Sequence, residues 1–263
     1  MPNPRGLVAL LLLCLIAPAA LGQGGPRTYL ARHTSGSVRV DGRLNDPAWE
    51  TAAWSDLFVD IEGVRRPVPR YATRVKLLWD VHFLYIGAQL EEPQVWGTIR
   101  QRDSVIFRDN DFEVFIDPDG DAKQYGELEI NALNTVWDLF LEIPYRAGGH
   151  ADDGWNIEGL QSAVQVQGTL SDPTDTDSGW TVEVAIPWRG LARVSHATAA
   201  PRPGDRWRIN FSRVEWRTEI VNGVYRKTAG YREDNWAWSP QGVIDMHQPE
   251  QWGFVVFSSD GPK

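Results

Sequence analysis

Cysteine is almost missing from this chain: the single one, Cys14, lies in the apolar N-terminal run. Beyond that run there are no disulfides, thiolate metal ligands or cysteine nucleophiles to consider. Positive charge is also scarce, 26 Lys and Arg against 35 Asp and Glu. That balance argues against nucleic acid or an anionic membrane as partner. The five histidines show no H-x3-H or HExxH spacing, so zinc catalysis lacks a ligand set. There is no GxSxG elbow for a serine nucleophile and no CxxCH for haem attachment. Past Met1, the only methionine is Met246, adjoining His247. Sequence neighbours cannot ligate opposite faces of a haem, so neither haem nor a nucleotide is expected.

Long apolar runs are lacking as well. The stretch from Leu7 to Ile16 is too short to cross a bilayer. With Arg5 before it and the small-residue exit at Ala20, Leu21 and Gly22, residues 1–22 read as a secretory signal peptide. The mature chain is then expected to start near Gln23, to run as a single domain over 23–263, and to be secreted or periplasmic without a transmembrane segment. Removing Arg5 and no acid leaves 25 − 35, a net charge of −10. Oligomeric state leaves no mark in the sequence.

What is present is β-pattern. Residues 73–90 (TRVKLLWDVHFLYIGAQL) predict a hairpin turning at Asp80 to His82, and residues 125–143 one bent strand or two, broken at Asn134. SAVQVQGTL, GWTVEVAIPW, DRWRINFSRVEW and WGFVVF predict four more, while helical signals are confined to PAWETAAW, PWRGLARV and HQPEQW. Strand after strand without βαβ alternation predicts an all-β, antiparallel β-sandwich with a few short helices.

The segment FRDNDFEVFIDPDGD (107–121) is dense in carboxylates yet keeps a period of two. Phe112, Val114 and Ile116 point one way; Asp111, Glu113, Phe115 and Asp117 point the other. Its tail brings Asp117, Asp119 and Asp121 close together. As an EF-hand it fails, with Gly120 at position four and Leu128 at twelve. A looser calcium site and a solvated type I turn both remain open. Most of the 13 tryptophans fit a core. Trp236 and Trp238, in the polar YREDNWAWSPQG, read instead as exposed loop aromatics, with Trp96 and Trp155 in similar surroundings. A pyranose ring has apolar faces that stack on such rings and hydroxyls that need carboxylates and amides.

Six segments in order, VDGRLNDPAW, VKLLWDVHFLYIGAQLEEP, NDFEVFIDPDGD, YGELEINALNTVWD, GWTVEVAIPWRGL and PEQWGFVVF, make the chain resemble family 9 carbohydrate-binding modules and their DOMON-like relatives. The resemblance implies a β-sandwich that holds a saccharide end between two aromatics, and structural calcium. Position by position, the ligand-contacting glutamate falls on Glu113, and one stacking tryptophan falls at or beside Phe107. The second falls near Met246, with Trp236 and Trp238 as substitutes. Asn131 would join the glutamates in reading hydroxyls. An arginine of the sugar-binding members falls on Glu129, a charge reversal.

Glu113 and Glu129 are expected on paired strands, about 5 Å apart. Three readings stay open: a pair that binds sugar or clamps a cation such as Ca²⁺, a glycosidase pair, or a solvated face. The function expected is extracytoplasmic, non-catalytic carbohydrate binding in polysaccharide breakdown or uptake. The alternatives are a glycoside hydrolase and a structural or partner-binding domain that has lost the sugar.

Overall fold

The computed structural model describes residues 25–196 and 199–259; the signal-peptide reading of residues 1–22 lies outside them. Fifteen strands carry the fold. The first five are β1 (Thr28–His33), β2 (Val59–Asp60), β3 (Thr73–Trp79), β4 (Phe83–Glu91) and β5 (Asp111–Asp117). Next come β6 (Tyr125–Asn131), β7 (Val136–Leu141), β8 (Ala151–Asp152), β9 (Gln161–Gln167) and β10 (Gly179–Pro187). β11 (Arg206–Glu215), β12 (Thr218–Val221), β13 (Val224–Lys227), β14 (Asp234–Ala237) and β15 (Phe254–Ser258) complete the set. Among the described residues, helix is limited to α1 (Pro47–Glu50), α2 (Ala192–Ser195) and single 3₁₀ turns.

Thirteen strands form one hydrogen-bonded sheet: eleven follow the path β8-β7-β6-β5-β11-β15-β1-β3-β4-β10-β9, β14 attaches at β11, and β2 attaches at β14. The path curls until its two halves face each other. Phe112, Val114 and Ile116 of β5, with Leu128 and Ile130 of β6, share one core with Leu77 of β3, Ile86 of β4 and Val182 and Val184 of β10. The period-two reading of β5 thus holds on its apolar side. The strictly antiparallel expectation does not: β1 runs parallel to both β15 and β3. A strand that joins two layers at their seam has no hairpin to reverse it, and the sequence offered no signal for its direction.

Both outer faces are partly covered too. On the β3-β4-β10-β9 layer, Trp49 of α1 packs with Leu78, Tyr85 and Ala185. Its indole N–H donates to Glu183 Oε1 at 2.7 Å, and the N–H groups of Asp41 and Gly42 donate to Oε2 at 2.8 and 2.6 Å. Gly42 has φ +85°, and a Cβ there would meet the Gln165 backbone at 2.7 Å. The segment VDGRLNDPAW is therefore a strap fastened to a buried glutamate.

Candidate functional site

The outer face of the other layer holds a cleft of about 420 Å³, a volume within the range of small-ligand sites. Its floor is built by register. Glu113 on β5 stands opposite Glu129 on β6, and Glu129 stands opposite Trp137 on β7. Glu127, two residues before Glu129, shares that face and also lines the cleft. Phe107 (40% exposed), Tyr145 (43%), Ile244, Met246 and His247 add apolar and aromatic surface to its lining.

The glutamates pair as expected but are not solvated; Glu113 is 5% exposed and Glu129 2%. Ser212 Oγ–H donates to Glu113 Oε2, and the Phe107 N–H donates to Glu129 Oε2 at 2.9 Å. Asp111, behind them and fully buried, accepts the Val214 N–H on Oδ1. One oxygen from each of Asp111, Glu113 and Glu129 lies within 4.8 Å of the others. At that separation two ionised carboxylates repel by about 3.5 kcal/mol at an effective dielectric of about 20. Burial accordingly pushes the Glu113 carboxyl up to about 7, against the opposing hydrogen bond from Ser212. Burial first, then the neighbouring carboxylates, holds Asp111, Glu127 and Glu129 well above the ordinary range.

Polar satisfaction fails at this cleft. Among the described residues, five buried side-chain polar atoms have no hydrogen-bond partner, and three of them, Asp111 Oδ2, Glu127 Oε2 and Trp137 Nε1, belong to this constellation. Natural folds seldom leave such atoms without a reason. The basic groups nearby are otherwise engaged. Arg213, next to Ser212, is buried against Glu92 and Glu215 at 2.8 and 2.7 Å, and Arg232 on the rim lies 3.7 Å from Glu233. His247 donates to or accepts from the Tyr125 hydroxyl through Nδ1 at 3.0 Å, and its Nε2 lies 3.8 Å from Glu127. Burial pushes its imidazole down to about 4.

Three expected ligand residues are placed elsewhere. Trp236 (3% exposed) lies on β14 beneath the Arg213 and Arg70 guanidinium groups, and Trp238 (1%) packs on Phe211 in the central core. The segment has no strand period, yet β14 pairs with β11, putting Trp236 opposite Arg213. Trp238 in turn explains a motif glycine, since a Cβ on Gly253 would stand 2.3 Å from its ring. Trp96 and Trp155 are buried as well. Asn131 is fully engaged within the fold: its Nδ2 donates to the Ile99 carbonyl and Asp109 Oδ2, and its Oδ1 accepts from the Leu133 and Thr135 N–H groups. It has no capacity left for a ligand.

Asp117, Asp119 and Asp121 do bring oxygens within 4.8 Å of one another. Each also caps the turn. Asp117 accepts the Gly120 and Ala122 N–H groups, Asp119 that of Asp121, and Asp121 that of Lys123. The residues missed were Glu127, Trp137, Tyr145 and His247. Glu127 was within reach, since ELEIN puts Glu127 and Glu129 on one face at period two.

No curated protein matches the chain significantly. Among solved structures, a family 9 carbohydrate-binding module from Caldicellulosiruptor kristjanssonii in complex with cellotriose is 16% identical over 90% of this chain and 96% of its own, TM-score 0.58. A glucose complex of a family 9 module from the same organism gives 16%, 90%, 98% and 0.60. A candidate carbohydrate-binding protein from Bacteroides uniformis gives 12%, 89%, 100% and 0.64. At these identities the likeness is one of fold. The family model described as "Carbohydrate family 9 binding domain-like" matches residues 40–259, and to that family the chain belongs.

Proposed function

We propose that the cleft binds a saccharide without turning it over. One observation carries the reading. Two exposed aromatic rings, Phe107 and Tyr145, line a cleft whose floor still has an indole N–H at Trp137 and a carboxylate oxygen at Glu127 without a hydrogen-bond partner. A sugar supplies what each lacks: apolar ring faces for the aromatics, and hydroxyls that both donate and accept. Family membership supports this class of ligand, as do the cellotriose and glucose complexes of the Caldicellulosiruptor modules.

In this reading the protein acts outside the cytoplasm, in polysaccharide breakdown or uptake, with the N-terminal residues 1–22 as its export signal. Calcium held by Asp117, Asp119 and Asp121 belongs to it as well, as a brace for the β5-β6 turn. Calorimetric titration of the mature protein with a panel of soluble oligosaccharides tests the central claim. Heat that disappears in the Phe107→Ala/Tyr145→Ala double variant is the expected result. No heat with any saccharide, with or without Ca²⁺, would mean a sandwich that has lost its sugar. Steady release of reducing ends, abolished by Glu113→Gln, would make the protein a glycoside hydrolase instead.

A further inference from the structure

The floor of the cleft holds more carboxyl groups than it has donors or cations to match. Asp111, Glu113 and Glu129 each place an oxygen within 4.8 Å of the other two, and all three are buried. The electrostatic neighbours felt by Asp111 and Glu129 are carboxylates, not Lys or Arg. The nearest guanidinium along β11, that of Arg213, sits beside Ser212 in sequence but donates to Glu92 and Glu215. A cluster of acids is common and by itself says little. Here there is a second observation: Asp111 Oδ2 is wholly shielded from water and has no hydrogen-bond partner. A desolvated carboxylate with one oxygen left bare, standing beside two other buried carboxylates, is an arrangement that a bound cation relieves.

We propose that Asp111, Glu113 and Glu129 hold a hard divalent cation of the Ca²⁺ class. The donors are all carboxylate oxygen, which selects Ca²⁺, Mg²⁺ or Mn²⁺ over softer metals. Three protein carboxylates leave such an ion short of the six to eight oxygens that calcium takes. Glu113 and Glu129 line the cleft, so the remaining positions face it and are open to water or to hydroxyl oxygens of a ligand. That second role rests on the saccharide reading above; the cation site itself does not. This site is distinct from the Asp117 turn, whose three carboxylates already cap backbone N–H groups.

The test begins with the whole mature protein, stripped with EDTA and dialysed, titrated calorimetrically with CaCl₂, MgCl₂ and MnCl₂ in the absence of any sugar. A saturable site for at least one of the three is expected, with Tm raised by roughly 5 °C or more at saturation. Glu129→Gln and Asp111→Asn, each checked by circular dichroism, are expected to weaken that site at least tenfold, while Asp119→Asn/Asp121→Asn leaves it unchanged. Overturning results are no divalent cation binding in the stripped protein, or binding lost in the Asp119/Asp121 variant and kept in Glu129→Gln. Wild-type saccharide affinity with Ca²⁺ and with EDTA separates the two claims without any variant. Sugar binding that EDTA does not alter removes the bridging role, and cation binding without sugar binding overturns the saccharide reading while the metal site stands.

Discussion

Glu183, on the outer face of one layer, and Glu113, on the outer face of the other, are both almost closed to water. Glu183 receives three hydrogen bonds, from the Trp49 indole and from the N–H groups of Asp41 and Gly42. Glu113 has Ser212 for a donor and faces Glu129 across the strand pair, with Glu127 and Asp111 close by. The same residue type at similar burial therefore serves two ends. Where donors match the carboxylate's capacity, the group fastens the fold; where carboxylates outnumber donors, the fold bears a cost that only something from outside can offset.

The sharpest way to break this contrast is to remove each group in turn. Glu183→Ala orphans three donors, two of them buried, and is expected to cost about 4 kcal/mol, lowering Tm by about 10 °C. Urea denaturation would show it, and a comparable loss in Glu113→Ala under EDTA would abolish the distinction.

A titration separates the faces next. With its imidazole pushed down to about 4 by burial, His247 stays neutral in the folded chain while the unfolded one takes up a proton near pH 6.5. The stability this group supplies is present above pH 6.5 and is lost as pH falls to about 4, a change of up to about 3 kcal/mol. Wild-type stability minus that of His247→Gln, followed by denaturant unfolding across that window, should fall as pH falls; a flat difference refutes the assignment.

Smaller is the effect of Glu129→Gln, which lifts one like charge from the crowded floor. In EDTA it should raise stability by about 1 kcal/mol, whereas Glu183→Gln lowers it; equal signs in chemical denaturation would remove the argument from crowding. Smallest in free energy are the rim variants. Phe107→Ala and Tyr145→Ala should each weaken saccharide affinity about fivefold, near 1 kcal/mol, with Tm unmoved, as calorimetry and thermal scans would report.

Much of this was legible in residues alone, and the failures have a common cause. The period of β5 and the hairpin to β6 set Glu113 against Glu129 without any structure, because both are local facts. What decided Trp236 and Trp238 was not local: burial came from pairing with β11 and from the bare backbone at Gly253. Asn131 looked free for the same reason, its partners lying at Ile99 and Asp109 on a distant turn of the chain. Tyr145 reached the rim through a 3₁₀ turn, Tyr145–Ala147, that follows β7 and carries no periodic signal.

The parallel seam has a kinetic meaning. Strand β1 is held by β15, Thr28 beside Phe254, so β1 must wait for a strand far along the chain before the layers can be joined. Loop closure over such a span is entropically costly, and contact order of this kind slows folding. A nascent chain would therefore carry its apolar inner faces open until β15 arrives, and that interval is when it most needs protection from aggregation.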